Sequence, residues 1–193
     1  RLAAAVAGRK LEENGQLEGE ITVIGDVPPL SDPISLFTKD AYTLKEIADI
    51  LHLSQDETAG RYCSRKDGTI LPPPKEGYKL KQRFRHVWEE WTRVTAGVEH
   101  FEKGNMAAFG KEMTASHLSC RDLFEISCPE LDTLVNIALA GGAWGARLTG
   151  AGFGGVAVAI VSEAKTSALI DEVWKRYYVE YLGLDPKSSR DTL

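Results

Sequence analysis

Little in this chain of 193 residues suits life outside a cell, in a membrane or on a nucleic acid. It has three cysteines, Cys63, Cys120 and Cys128, which are odd in number and lack metal-ligand spacing. They read as reduced thiols of a cytoplasmic protein. No apolar run approaches the roughly 18–20 residues that span a bilayer. There is no excess of positive charge either: 23 Lys and Arg stand against 28 Asp and Glu, a formal net charge of −5. That balance argues against nucleic acid or an anionic membrane as a main partner. LAAAVAG, residues 2–8, is too short for a signal segment, and its basic pair Arg9-Lys10 follows it where a signal peptide would carry the charge in front. The first residue is Arg, so the chain reads as a piece of something longer, with material for one good core and at most two lobes.

What is present in quantity is glycine, and it is concentrated. Arg147 to Val161 reads RLTGAGFGGVAVAIV, with Gly150, Gly152, Gly154 and Gly155 inside six positions. Glycine at that density marks backbone at positive φ, or backbone that something approaches closely. Gly150, Gly152 and Gly155 fit the G-x-G-x-x-G nucleotide fingerprint, which requires a helix after the loop. Here VAVAIV follows, a Val- and Ile-rich run that predicts a buried strand. The unit is strand, glycine loop, strand. Spacing alone leaves a ligand loop and a tight structural hairpin equally open.

The rest of the chain is mainly helical in pattern. Residues 1–13 read as the end of a helix closing at Asn14-Gly15, and 19–27 alternate as a short strand. Thr43 with Glu46 and Ser54 with Glu57 are capping boxes that open two short helices. Residues 66–77 hold three consecutive prolines and no periodicity, which predicts a surface loop. From about Tyr78 to Lys103, the positions Leu80, Phe84, Val87, Trp91, Val94, Val98 and Phe101 form one apolar helix face. Lys79, Lys81, Arg83, Arg85, His86 and His100 then fall on a solvated side. Asn105 caps a further helix. Ser127 with Glu130 is a third capping box, with Pro129 in the first turn of a helix that stops at Gly141-Gly142. A last helix covers about Glu163 to Leu182. Ser116, His117, Ser119, Arg121 and Asp122 contain the residue types of a catalytic set, but spacing pairs no nucleophile with a base. Arg121 and Asp122 read as a structural ion pair.

Together these segments carry a resemblance. GARLTGAGFGG before a strand resembles the third signature motif of the kinase superfamily of galactokinase, homoserine kinase, mevalonate kinase and phosphomevalonate kinase. Within it, SHLSCRDLFEISCPELDTLVNIA and YKLKQRFRHVWEEWTRV resemble galactokinase, over about Tyr78 to Tyr181. Val156 departs from the Cys more usual there. The resemblance implies an α+β fold, with helices packed on one face of an antiparallel sheet, as the C-terminal lobe of a two-lobed small-molecule kinase. Residues 1–77 would form its helical and loop portion and 78–193 its core, with a last strand beyond Leu193. It implies ATP and Mg2+ as cofactors and phosphorylation of galactose to galactose 1-phosphate. The galactose signature, the phosphate loop and the catalytic Asp would come from an N-terminal lobe outside these residues. No catalytic residue is then expected here. The nucleotide site would take Gly150, Ala151, Gly152, Phe153, Gly154 and Gly155. N-acetylgalactosamine kinase, a sugar sensor gripping a transcriptional repressor, and an inactive gene relic are the alternatives.

Overall fold

A computed structural model describes residues 1–17, 21, 23–28 and 30–185. They form two compact units, Arg1–Trp91 and Thr92–Leu193. The division falls within one helix.

The first unit is held by a single apolar cluster. Helix α1 (Leu2–Glu13) buries Ala3 to Ala7 and Leu11, and stops at Asn14 before Gly15 turns to φ 68°. Helices α2 (Leu44–Leu51) and α3 (Gln55–Tyr62) both start on the capping boxes expected of them. Thr43 Oγ1 accepts from the Glu46 amide at 3.2 Å while the Glu46 carboxylate accepts from the Thr43 amide at 2.8 Å. Such caps contribute about 1 kcal/mol each. Phe37, Tyr42, Ile47 and Leu51 join Val6, Leu11, Leu80 and Phe84 in the core. The proline-rich segment is an exposed loop, tied back by the Ser64–Ile70 bridge and by the Leu71 amide donating to the Cys63 carbonyl at 2.9 Å. The strand expected over 19–27 is not formed by Val23 to Val27, which make a 3-10 turn at Ile24–Asp26. Residues 19, 20 and 22 of that expectation lie outside the described residues.

Helix α4 (Leu80–Glu102) covers the predicted span, but its apolar stripe is not a core face throughout. Leu80 and Phe84 are buried, whereas Trp91 is 72% exposed and Val87, Val94, Val98 and Phe101 are exposed with it. Periodicity establishes that the face is apolar; only tertiary structure decides what covers it. His86 departs in the other direction, since it is buried and not on a solvated side.

The second unit is a small α+β arrangement. Asn105 caps α5 (Met106–Ser119) by accepting from the Ala108 amide at 3.1 Å. The helix widens into a π turn at Cys120–Phe124 and ends on Glu125 in the left-handed conformation, φ 58°. Helix α6 (Pro129–Ala140) has Pro129 in its first turn, yet its N-cap is Cys128, without a side-chain cap. Ser127 does not form the expected capping box because its hydroxyl donates instead to Asp132 Oδ1 at 2.6 Å. Strands β1 (Gly145–Thr149) and β2 (Val156–Ile160) pair antiparallel, Gly145 opposite Ile160 and Thr149 opposite Val156. Helix α7 (Thr166–Val173) runs on as a π-helical stretch, Trp174–Tyr181. Leu169 of α7 joins Val135, Ala138 and Ala146 in one small core, and Cys120, Leu131 and Leu148 form a second. Strand β2 is less buried than VAVAIV suggests: Val156 and Val158 are exposed, and among the described residues β1 is its one strand neighbour.

Two glycines set the spacing of this unit. A Cβ on Gly145 would fall 1.9 Å from the Gly110 carbonyl oxygen, and one on Gly110 would fall 2.4 Å from Trp144. Helix α5 and strand β1 therefore meet backbone to backbone, an approach that any side chain at either position would prevent.

Candidate functional site

The glycine loop joins β1 to β2, and its conformation is one that side chains rarely allow. Gly150, Gly152, Gly154 and Gly155 all have positive φ, at 92°, 81°, 132° and 99°. Phe153 joins them at φ 60°, with its ring exposed. A non-glycine residue in that region is uncommon and is held by its surroundings. Here the Phe153 amide donates to the Ile126 carbonyl oxygen at 2.7 Å. A Cβ on Gly152 would come within 2.3 Å of that same oxygen. The loop's middle is thus pressed onto the segment between the π turn and α6. Around Gly150, Gly154 and Gly155 the chain leaves open space, with nothing within 4 Å of an added Cβ. Successive amides in such turns form concavities suited to anions.

The entrance to the loop is held by α5. On the edge of β1 away from β2, the Ala146 amide lies 3.4 Å from Thr114 Oγ1 and the Leu148 amide donates to His117 Nδ1 at 3.3 Å. Two helix side chains thus take the acceptor positions that a third strand would supply, which protects an otherwise open sheet edge. His117 is 2% exposed, and its Nε2 lies 3.2 Å from Asp132 Oδ1, the oxygen that also takes the Ser127 hydroxyl. Because Nδ1 is an acceptor, the ring proton sits on Nε2, facing Asp132. Burial holds the His117 pKa below its ordinary value, with Asp132 pulling the other way.

The remaining polar candidates serve structure. Arg121 donates to both oxygens of Asp122, at 2.7 Å and 3.0 Å, and the hydrogen bond holds the Asp122 carboxyl below its usual range. Arg147 turns Nε back to the Leu148 carbonyl at 3.0 Å. Ser116 and Ser119 are buried on α5. Within this group the side-chain contacts include the Arg121–Asp122 ion pair and the approach of His117 to Asp132. Among the described residues, no cluster of three or more His, Cys, Asp or Glu could hold a metal ion. None of their helices is long and apolar enough to cross a membrane. What sequence spacing could not reveal is the Ile126 carbonyl under Gly152 and the Thr114–His117 edge. Those contacts join residues roughly 26–32 positions apart, and only the GxG density hinted at a close approach.

Residues 98–180 match the family described as GHMP kinases C terminal, a span that holds α5, α6, the whole glycine loop and both strands. These residues are a GHMP kinase C-terminal domain. The chain is 33% identical over 167 residues to a galactokinase of Dictyostelium discoideum, covering 77% of this chain and 32% of that protein. It is 32% identical over 179 residues to a galactokinase of Saccharomyces cerevisiae, covering 86% and 33%. A Clostridium acetobutylicum galactokinase is 42% identical over 146 residues, 74% of this chain and 36% of that one. Among solved structures, Lactococcus lactis galactokinase complexed with galactose superposes with a TM-score of 0.60 at 27% identity, over 94% of this chain and 37% of that one. The chain thus spans about a third of the length of the relatives it matches.

Proposed function

We propose that this chain acts as the C-terminal lobe of a galactokinase, which transfers the γ-phosphoryl group of ATP to the anomeric hydroxyl of galactose. The observation that carries the reading is the glycine loop: five residues at positive φ, anchored at Ile126 and Leu148, with open space around Gly150, Gly154 and Gly155. Phosphoryl transfer asks a protein mainly for position and for donors around developing negative charge. A loop without side chains lets backbone N–H groups approach a phosphate, or lets a second phosphate-binding loop pack against it. In this reading Gly150, Ala151, Gly152, Phe153, Gly154 and Gly155 contribute the nucleotide-side wall, and none of them reacts. Mg2+ enters with the ATP phosphates, and the catalytic Asp, the sugar pocket and the second phosphate loop belong to an N-terminal lobe. The setting is the cytoplasm, in keeping with three free thiols.

The test is a coupled assay with galactose and Mg-ATP, run on the 193-residue chain and on a two-lobed protein that carries it as its C-terminal part. The expected result is turnover by the two-lobed protein and none above the buffer blank by the chain alone. Turnover by the chain alone would refute the assignment of the catalytic groups to another lobe. A two-lobed protein that binds galactose and ATP without turnover would instead favour a sensor.

A further inference from the structure

We propose that His117 is a positioning residue for the glycine loop: its neutral ring, with Nδ1 as acceptor, fixes the edge of β1 two residues before Gly150. The inference deepens the kinase reading and rests on it for its catalytic consequence. Its structural basis is independent of that reading.

Three observations converge. The Leu148 amide points away from β2 and has His117 Nδ1 at 3.3 Å, so the end of β1 is oriented through this ring. The ring is itself oriented from its far side, by Asp132 Oδ1 at 3.2 Å, whose position is shared with the Ser127 hydroxyl at 2.6 Å. Such a relay fixes both the tautomer and the ring plane, as it does when a histidine must present one particular nitrogen. Finally, Leu148 is buried beside Cys120 and Leu131, so the contact is shielded from water that could replace it. A leucine or phenylalanine would fill the same space. A buried imidazole with its polar groups matched on two sides is there to supply a directed acceptor, since burying it costs free energy that an apolar side chain would not.

The chemistry of the ring also makes the latch acid-labile. A proton on Nδ1 removes the acceptor and leaves the Leu148 amide facing a second N–H. The charged groups facing the ring are Asp132 from α6, which favours that proton, and Arg121 from the π turn and Arg147 from β1, which oppose it. Asp122, next to Arg121, is also within electrostatic reach.

Two isosteric variants separate the ring's two jobs. In H117N the amide oxygen occupies the place of Nδ1 and can still accept from Leu148. In H117Q the amide nitrogen occupies the place of Nε2 and can still donate to Asp132. Amide hydrogen exchange on the 193-residue chain should show Leu148 and residues 150–155 protected in H117N about as in the parent, and exchanging at least about tenfold faster in H117Q, as when about 1.4 kcal/mol of local protection is lost. Equal exchange in the two variants, or faster exchange in H117N alone, would overturn the proposal. Should both variants fail to fold, the parent's imidazole nitrogens still decide it by NMR: a proton on Nε2 with an unprotonated Nδ1 is required, and the opposite tautomer refutes it. In the two-lobed kinase, H117Q should lower kcat by up to about 100-fold at unchanged folded fraction, the scale of a displacement of about 1 Å, and H117N should restore it. Loosened exchange at Leu148 with normal kcat would remove His117 from the reaction. The expected exchange pattern in a protein without kinase activity would defeat the kinase reading and leave the latch intact.

Discussion

The two units of this chain are stabilised in different ways. Arg1–Trp91 is organised around one apolar cluster in which Phe84 lies against Phe37 at 5.1 Å and stacks with Trp88 at 6.1 Å between ring centroids. Among the described residues Thr92–Leu193 has smaller apolar clusters, and it buries Ser116, His117 and Ser119 where the first unit buries Thr58 and His86. It also depends on backbone contacts, Gly110 on Gly145 and Gly152 on Ile126. An apolar cluster is forgiving about direction, because burial depends on area. Directed contacts are not, and they are found where a loop must be held to a fraction of an ångström. The unit with the less generous core is the one that carries the candidate site.

That contrast can be broken from either side. The largest effect is expected at Gly145→Ala, whose methyl would overlap the Gly110 backbone at 1.9 Å. A backbone cannot step aside as a side chain does, so a loss of about 5 kcal/mol or failure of the second unit to fold is expected from denaturant titration. Phe84→Ala should cost about 3–5 kcal/mol in the same titration, the range for truncating a buried aromatic. Trp91→Ala, seven residues along the same helix face, should change stability by less than about 1 kcal/mol, as exposed positions do. If Trp91→Ala matched Phe84→Ala, the outer part of α4 would be core after all.

Acid should act on the second unit through His117. Its folded pKa lies below the unfolded value of 6.5, so below that pH the unfolded chain binds the proton more readily. Its contribution to stability is therefore complete above about pH 6.5 and declines as pH falls toward the folded pKa. Melting curves of the parent and H117N between pH 7.5 and 5 should diverge at the acid end. Parallel curves would mean that His117 does not titrate between the two states.

Much of the local structure is legible in the sequence, because local rules carry it. Thr43 with Glu46, Ser54 with Glu57 and Asn105 begin their helices as capping chemistry requires. The strand–loop–strand unit and its four glycines are equally plain. The failures arise in two ways. Ser127 has the spacing of a cap but turns to Asp132; Trp91 has the periodicity of a core but is exposed; His86 has the neighbours of a solvated side but is buried. Ser127 is turned by a carboxylate five residues on, whereas the exposure of Trp91 and the burial of His86 follow from tertiary packing that periodicity does not encode. The site is half-legible for the second of these reasons: its glycines are local, whereas Ile126, Thr114 and His117 reach it from other elements.

The central claim, that the glycine loop faces the nucleotide, is tested most directly by two matched substitutions in the two-lobed kinase. Gly68 and Gly154 both have positive φ, at 84° and 132°, and an added Cβ meets nothing within 4 Å at either. Alanine strains the backbone at both positions by about 1–3 kcal/mol. Melting temperature and kcat/KM for ATP would be measured on the same preparations of Gly68→Ala and Gly154→Ala. The account predicts comparable melting temperatures, kcat/KM within about twofold of the parent for Gly68→Ala, and a loss of up to about 100-fold for Gly154→Ala. Equal and near-normal kcat/KM in both variants would make the loop a structural hairpin and contradict the account.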